Sequence, residues 1–599
     1  MCGIVGYVGK RDATHFLLSG LQLLEYRGYD SAGLVLFTDK DTTRLRSVGY
    51  VAALKKLVET QGAKGHTGIA HTRWATHGAP HETNAHPHTD TENTFYVVHN
   101  GIIENHLALR DVLGGQQVYT SQTDTEVIAH LLAKKFKESP SIESAFLATL
   151  SLLEGSYALA VVSVHEPGKI YFARKSSPLL IGRGNDSMMI ASDAAPLYGN
   201  ASRVVYISDG QRGYITDSEI VLYNQENQRI TCSEEQIPGS ADIADKGTYE
   251  HYMLKEISEA PTVIQAALQG RFHAGFEKPN FDELDVFPAW SACKHLRIIA
   301  CGTSYHAALY GKFIMEQITS VHVTVEIASE FRYSSYVPHD NEVVLAISQS
   351  GETADTRAAV LLAKDRGVPT IGIVNVPHST IAREVDTCIL LRAGLERSVA
   401  STKACVSQSV VCALLALTRC VDSEKTKELS GALLSLSSHA TALLASFDGL
   451  DERIKPIANA GNVFCLGRGG NYGVALEAAL KLKEVAYIHA EGYPGGELKH
   501  GSLALIDGTV PTLAFLSIHP VLREKLLSNI SEVIARGGEV IAVSAYAEDV
   551  TTIQVPQSSM LVESIIHTIA AHYITYRVGV IRGTPIDKPR NLAKAVTVE

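Results

Sequence analysis

The chain has 599 residues, too many for a single hydrophobic core, so about two to four domains are expected. With 45% hydrophobic and 20% charged residues its balance is that of an ordinary globular protein, which excludes a disordered or fibrous one. A net charge of −11 weighs against nucleic-acid binding as a main role, because phosphate-backbone footprints are basic.

The chain opens MCGIVGYVG. Cys2 is small enough for the preceding methionine to be removed, which would leave an α-amine and a thiol on one residue. An α-amine titrates near pH 8 (about 7.7–8.0), so at neutral pH part of it is a free base beside the thiol. That pairing gives a nucleophile its own general base. Taken alone, these residues read better as a buried thiol at the start of an apolar strand. No basic segment followed by an apolar stretch is visible, so no signal peptide is expected.

Residues 1–235 continue as short β-type runs, such as NTFYVVHNG and GSYALAVVSV, separated by Gly/Asn/Asp turns. The polar stretch 234–249 reads as a linker. From about 285 apolar strands alternate with amphipathic helices, the βαβ signature of a parallel sheet. This part repeats itself: residues 296–313 match 462–479 as strand, Gly-containing loop and helix, and 341–374 have a weaker counterpart in 509–543. The run ACVSQSVVCALLALT (404–418) is too short to span a bilayer and reads as a buried helix. Nine cysteines, odd in number and without a CxxC pair, suit free thiols in a reducing cytoplasm. The expected organisation is a domain over 2–235, a linker with entry helices over 236–284, α/β modules over 285–425 and 450–590, and a tail over 591–599.

Several side chains suit particular chemistry. Asn100 and Gly101 follow the strand-like YVVH, where a side-chain amide and a backbone N–H could meet an oxyanion. Arg73 can grip a carboxylate with two parallel hydrogen bonds, and Asp124 can pair with an ammonium. Singly, each is more easily a surface ion pair or a hairpin turn. His71, His77, His81, His86 and His88 crowd one loop but lack a metal-site spacing, so no metal is expected. In ISQSGETADT, Ser348, Gln349, Ser350, Gly351 and Thr353 lie between a strand and a helix, where hydroxyls and backbone N–H groups can hold a phosphate. Thr303 and Ser304 of CGTSYH, with Cys301 and Gly302, form the paired loop. The second-copy loops GRGGN and LSIHP have few hydroxyls, so one sugar-phosphate site is expected rather than two. Glu477, Lys481 and Glu484 share a helical face and from spacing alone read as a solvated salt-bridge ladder. Lys594 reads alone as part of a frayed tail.

The stretches MCGIVGY, YRGYDSAG (26–33), HTRWATHG (71–78), VVHNGIIEN (97–105) and SQTDTE (121–126) together resemble the glutaminase domain of class II glutamine amidotransferases. The serine-rich loops resemble sugar isomerase (SIS) domains. The implied fold class is an α+β N-terminal-nucleophile αββα sandwich followed by two α/β SIS domains with parallel sheets. The whole chain, including YEHYMLKEI (249–257), VASTKA (399–404), GELKHG (496–501) and PRNLAKAVTVE (589–599), is similar to the glutamine–fructose-6-phosphate aminotransferase family.

The resemblance implies that Cys2 hydrolyses glutamine with Asn100 and Gly101 as oxyanion hole. Arg73 and Asp124 would clamp the amino acid, with Trp74, Thr76 and His77 lining the pocket. Lys594 would form a Schiff base with fructose 6-phosphate, Glu484 would move a proton between C1 and C2, and His500, from a partner subunit, would assist ring opening. Cys301, Gly302, Thr303, Ser304, Ser348, Gln349, Ser350, Thr353, Ser401, Glu477 and Lys481 would wall the sugar-phosphate site, and the tail would cover it. An enclosed ammonia passage gated by Trp74, a homodimer, no cofactor and a place at the first step of hexosamine (UDP-GlcNAc) synthesis are implied likewise. Gly492, Ser502 and Ala595 depart from the family pattern, none of them at a reacting group. Two readings stay open: a class II amidotransferase acting on another ketose phosphate, and a SIS-type isomerase or deaminase. A sugar-phosphate-sensing regulator is disfavoured by the lack of a basic helix-turn-helix before residue 285.

Overall fold

The computed structural model describes residues 2–38, 40–114, 118–237, 246–272 and 278–596. Half of the expected linker stretch (238–245) and the last residues of the expected tail (597–599) lie outside these. The chain forms two compact units, one comprising Met1–Ile243 with Ala595–Glu599, the other Ala244–Lys594.

The first unit is built on two antiparallel sheets. In the eight-stranded sheet, Gly3–Gly9 lies centrally between Ser187–Ala191 and Thr67–Arg73. In the seven-stranded sheet, Phe95–Ile103 pairs with Gly155–Ser163 from Phe95 opposite Ser163 to Ile103 opposite Gly155. Alternation along each strand assigns the faces. Ile4, Val8, Val35 and Ile69 pack between the sheets against Val98, Ala160 and Phe172. Val5, Leu34 and Leu36 face outward under the helices Thr14–Leu24 and Val51–Gln61. On the far side Val97, Leu159 and Tyr171 lie under Glu126–Lys137 and Ile142–Leu150. The layers run αββα, as the resemblance implied. The pattern of apolar runs and turns shows only the strands here, because these helices are short and their apolar stripes sit among β-type runs.

The second unit holds two five-stranded parallel sheets. Their orders are equivalent: the first strand (His295–Ala300 or Asn462–Gly467) lies between the second (His322–Ile327 or His489–Pro494) and the third (Glu342–Ser348 or Thr512–Phe515). This is the topology an internal duplication leaves behind. One continuous core joins the sheets, with Ile298 and Leu345 of one and Cys465 and Leu513 of the other in the same cluster as helix residues Ala308, Val410, Ala475 and Ile569. The helix Lys403–Arg419 is buried along nearly its whole length. Among the described residues no helix is long and apolar enough to cross a membrane.

In a sheet of this order, the helices after the first and third strands leave on opposite faces. The crevice between those strand ends is where open α/β sheets bind ligands. In the first copy that crevice is flanked by residues 301–304 and 348–353.

Candidate active sites

In the first unit, antiparallel pairing of Gly3–Gly9 with Thr67–Arg73 sets Gly3 opposite Thr72. Cys2 therefore lies beside Trp74, whose backbone N–H donates to Cys2 Sγ at 3.2 Å. The thiol in turn faces the Trp74 carbonyl at 3.5 Å. Burial pushes the Cys2 thiol up, and the Trp74 N–H and the Arg73 guanidinium pull it back part of the way. Asn100 Nδ2 donates to the Cys2 carbonyl at 3.1 Å, and its Oδ1 meets His71 Nε2 at 3.1 Å. Gly101 continues the strand at φ +139°, and a Cβ there would sit 2.0 Å from the Ser156 carbonyl oxygen. Only glycine fits that position.

Arg73 is buried and donates to the backbone carbonyls of His77, Gly78 (3.0 Å) and Ala79 (3.5 Å), so its guanidinium shapes the loop after Cys2's neighbour strand. Asp30 Oδ2 holds the same loop through the Ala75 N–H at 2.8 Å. Trp74 is half-buried, edge-on to Tyr29 at 6.0 Å between ring centres. Thr76 is exposed, and His77 is half-buried with its ring 5.3 Å from that of His106. Asp124 is buried, accepts the Ile103 N–H at 2.8 Å and lies 3.9 Å from His99 Nδ1. The crowded histidines divide. His71, His86 and His88 are buried with successive ring centres 4.1 and 4.6 Å apart. Burial pushes His71 down to about 3 and the other two well below their usual value, so they pack as neutral rings. His81 is exposed and caps Thr83 N–H through Nδ1 at 3.3 Å.

In the second unit, Ser348 Oγ accepts the Gly351 N–H at 3.0 Å and meets Thr353 Oγ1 at 3.0 Å. Ser350 Oγ accepts the Glu352 N–H at 3.1 Å. Gly351 has φ +65°, and a Cβ would fall 1.9 Å from Ser379 Oγ. Thr353 is the extended residue ahead of the helix Ala354–Asp365, so the loop sets hydroxyls at a helix N-terminus. Gln349 is half-buried, its carbonyl accepting the Asn375 N–H at 3.1 Å. Cys301 and Gly302 open the helix Gly302–Ile318, and Ser304 Oγ accepts from Gln408 Nε2 at 2.9 Å.

The solvated ladder expected of Glu477, Lys481 and Glu484 is not what folds. Glu477 and Lys481 are 1% and 0% exposed, because the helix Asn471–Ala486 turns this face inward against Gly302–Ile318 and Glu563–Ile581. Lys481 Nζ lies 3.2 Å from Glu477 and 2.6 Å from Glu484, and donates to Thr303 Oγ1 at 2.9 Å. Glu477 also meets His306 Nδ1 at 2.7 Å and His572 Nε2 at 3.0 Å, two partners the spacing gave no sign of. Burial opposes both charges, but their mutual attraction leaves Lys481 raised and Glu477 well below the usual carboxylate range.

Lys594 is likewise no frayed end. Its side chain is 3% exposed and its Nζ lies 2.5 Å from Glu396 Oε2. Ser401 Oγ donates to the same oxygen at 2.8 Å, and the N–H groups of Thr402 (2.9 Å) and Ala404 (3.1 Å) donate to Glu396 Oε1. Sequence reading missed Glu396. Its one signal is an acidic residue shortly before the start of a long helix, where N–H groups favour an anion. His500 is exposed after the turn Glu497–Lys499, and no hydrogen bond joins it to Glu484 or Lys594 among the described residues. Gly492 has a local reason: a Cβ would sit 2.8 Å from the Leu476 backbone.

Comparison with known proteins gives two family matches, the SIS domain over residues 291–418 and 456–551 and the glutamine amidotransferase domain over 71–199. A glutamine–fructose-6-phosphate aminotransferase [isomerizing] of Chlorobaculum tepidum is 42% identical with 100% of both chains covered. The same enzyme of Pseudomonas putida is 42% identical, again across 100% of both chains. Among solved structures, the C-terminal domain of glucosamine-fructose-6-phosphate aminotransferase from Francisella tularensis matches at a TM-score of 0.55 and 35% identity, covering 58% of this chain and 100% of that one.

Proposed function

The chain belongs to the glutamine–fructose-6-phosphate aminotransferase family, and from that premise we propose that it makes glucosamine 6-phosphate and glutamate from fructose 6-phosphate and glutamine. In this reading Cys2, freed at its amine, attacks the glutamine amide. Asn100 and Gly101 receive the oxyanion, and Asp124 and the loop braced by Arg73 hold the amino-acid end, beside Trp74, Thr76 and His77. The ammonia released passes to the sugar, bound as a phosphate ester by Ser348, Ser350 and Thr353 with Thr303 and Ser304 nearby. Lys594 forms a Schiff base at C2, Glu484 carries the proton between C1 and C2, and His500 of a second copy opens the ring. Domains over 2–235, 285–425 and 450–590, a homodimer and a cytoplasmic setting belong to the same reading.

The observation that carries it is the burial of Lys594, which no frayed tail would need, in one unit with a hydroxyl-rich loop that crowns the sheet crevice. The test is a mass-spectrometric product assay with glutamine and fructose 6-phosphate, each alone and together. Hexosamine phosphate with equal glutamate, and glutamine hydrolysis quickened by the sugar, is the expected result. Glutamate without aminated sugar would mean another acceptor.

A further inference from the structure

A lysine that attacks a carbonyl must first lose a proton, and a group beside it must take that proton. Two buried carboxylates stand at Lys594. Glu396 touches it directly, and its two oxygens are held by three further donors, the Ser401 hydroxyl and the Thr402 and Ala404 N–H groups. Glu256, on the helix Tyr252–Ser258, is 2% exposed. Its Oε1 accepts the N–H of Arg397 at 2.5 Å and that of Ser398 at 3.3 Å, the residues directly after Glu396. Its Oε2 is buried without a hydrogen-bond partner among the described residues.

The cluster holds two carboxylates against one ammonium at Lys594. The next cation, Lys403, is engaged by Glu259 at 2.6 Å. A second negative charge at Glu256 would be poorly compensated, and an unpartnered buried oxygen suits a protonated carboxyl better than an ionised one. Burial and the Glu396 charge push Glu256 up to about 8. Burial also raises Glu396, but the Lys594 ammonium and the N–H donors overcome it and bring it down to about 2. The groups facing Glu256 are Glu396 and Lys594, Lys403 at the head of its helix, and His572 across a narrow cavity that Glu256 also lines.

We propose that Glu396 receives the proton of Lys594, and that Glu256, bound to the two N–H groups directly after Glu396, is a positioning residue whose charge, once formed, repels the Glu396 carboxylate and favours that transfer. This rests on the Lys594 Schiff-base reading. One N–H bond of the ammonium breaks as an O–H bond forms on Glu396, giving a neutral amine and a neutral acid. The amine lone pair attacks the ketose C2, and the carbinolamine hydroxyl leaves as water with the proton returned by Glu396. The products are a protonated imine, one water and the Glu396 carboxylate, so charge and hydrogens balance. When Glu256 ionises, its charge acts more strongly on Glu396 than on Lys594, so it draws the proton toward Glu396 and speeds the first step.

The experiment measures how fast fructose 6-phosphate is captured on the full-length protein by borohydride reduction of the imine, between pH 6 and 9.5. Peptide mapping locates the adduct. The wild type is compared with Glu396→Gln, Glu396→Asp and Glu256→Gln, each checked by thermal melting. Glu396→Gln is expected to slow capture on the order of 100-fold at every pH, a typical loss for a proton-transfer group, with Glu396→Asp restoring part of it. Glu256→Gln should match the wild type below about pH 7 and fall behind it above pH 8, by about tenfold for each pKa unit the charge had been worth. Capture by Glu396→Gln at the wild-type rate, or a Glu256→Gln profile lying on the wild-type profile through pH 9.5, overturns the proposal. A wild type that forms no adduct at Lys594 overturns the Schiff-base reading itself, and is told apart because the failure precedes any substitution.

Discussion

Lys481→Met separates a buried ion pair from the solvated ladder its spacing suggests. An exposed i, i+4 pair contributes about 0.3–0.5 kcal/mol, and its loss would scarcely register. Here Lys481 is fully buried and lies 3.2 Å from a carboxylate that is itself 1% exposed. Removing one partner of such a pair leaves an uncompensated buried charge, at about 3–5 kcal/mol. Glu477 keeps its contacts to Thr303 (3.2 Å), His306 (2.7 Å) and His572 (3.0 Å), which places the expected loss near the low end, about 3 kcal/mol. Guanidinium unfolding of the single variant and of Lys481→Met with Glu477→Gln provides the assay. The double variant should recover much of the loss, because no charge is then stranded. The pH dependence has a fixed sign. Glu477 is held below its unfolded value, so its contribution is present above about pH 4.3 and fades as pH falls. Lys481 is held above its unfolded value, so its contribution is present below about pH 10.4 and fades as pH rises. A single variant within 1 kcal/mol (about the ceiling for a surface pair) of the wild type would refute the reasoning.

Cys2→Ala should abolish glutamate release from glutamine while leaving fructose 6-phosphate isomerisation, and glutamine use that survives would remove Cys2 from the site. Lys594→Ala should do the reverse, losing hexosamine phosphate formation and keeping glutamine hydrolysis, both read by mass spectrometry. Gly101→Ala would force a Cβ to within 2.0 Å of the Ser156 carbonyl at φ +139°. Backbone strain alone is worth about 1–3 kcal/mol there, so a lowered melting temperature with lost glutaminase activity is expected, and wild-type values for both would contradict the geometry. Gly351→Ala would meet Ser379 Oγ at 1.9 Å, so it should weaken inorganic phosphate protection of Lys594 against borohydride capture without moving glutamine hydrolysis.

The parallel sheets were legible because a strand buried on both faces writes itself as an unbroken apolar run, as in LRIIA and EVVLAI, followed by a Gly or Ser turn. The duplication was legible from the same runs at a constant offset. Cys2, Asn100 and Gly101 become candidates only together, through the resemblance to the glutaminase domain, since singly they read as a buried thiol and a hairpin turn. The pattern could not show burial of Glu477 and Lys481, because a helical face that carries three charges looks identical whether it meets water or a second helix. Nor could it show Glu396 or Glu256, which are single acidic residues whose meaning lies in a lysine about 200 residues downstream of the first. Long-range partners of this kind leave no periodicity. The roles proposed for Arg73 and Asp124 rest on what their side chains bind in general and on the resemblance, and no pattern shows their local partners. In the fold one braces a loop through three carbonyls and the other is tied to the Ile103 N–H.

The two parallel-sheet modules share a topology, yet their equivalent loops differ for a reason visible in their partners. After the third strand of the first copy, Ser348 and Ser350 accept N–H groups within their own loop, at the start of a helix. After the third strand of the second copy, the Ser517 hydroxyl and the Ile518 N–H (2.8 Å) both donate to the carboxylate of Glu563. The second copy thus carries a protein carboxylate where its loop donors converge, and burial with little compensation pushes that carboxyl up to about 7. Its other loop is closed as well: a Cβ at Gly467 would fall 2.0 Å from the Asn471 carbonyl, and Asn471 is bound to Ser564 at 2.9 Å and His567 at 3.0 Å. The helix between these loops, Asn471–Ala486, meets the helix Gly302–Ile318 of the first copy. Its residues Glu477 and Lys481 reach Thr303 of the first copy at 3.2 and 2.9 Å. The second copy thus has its loop donors engaged by its own carboxylate, while the first copy sets its loop hydroxyls at a helix N-terminus and its Thr303 against Glu477 and Lys481 of the second.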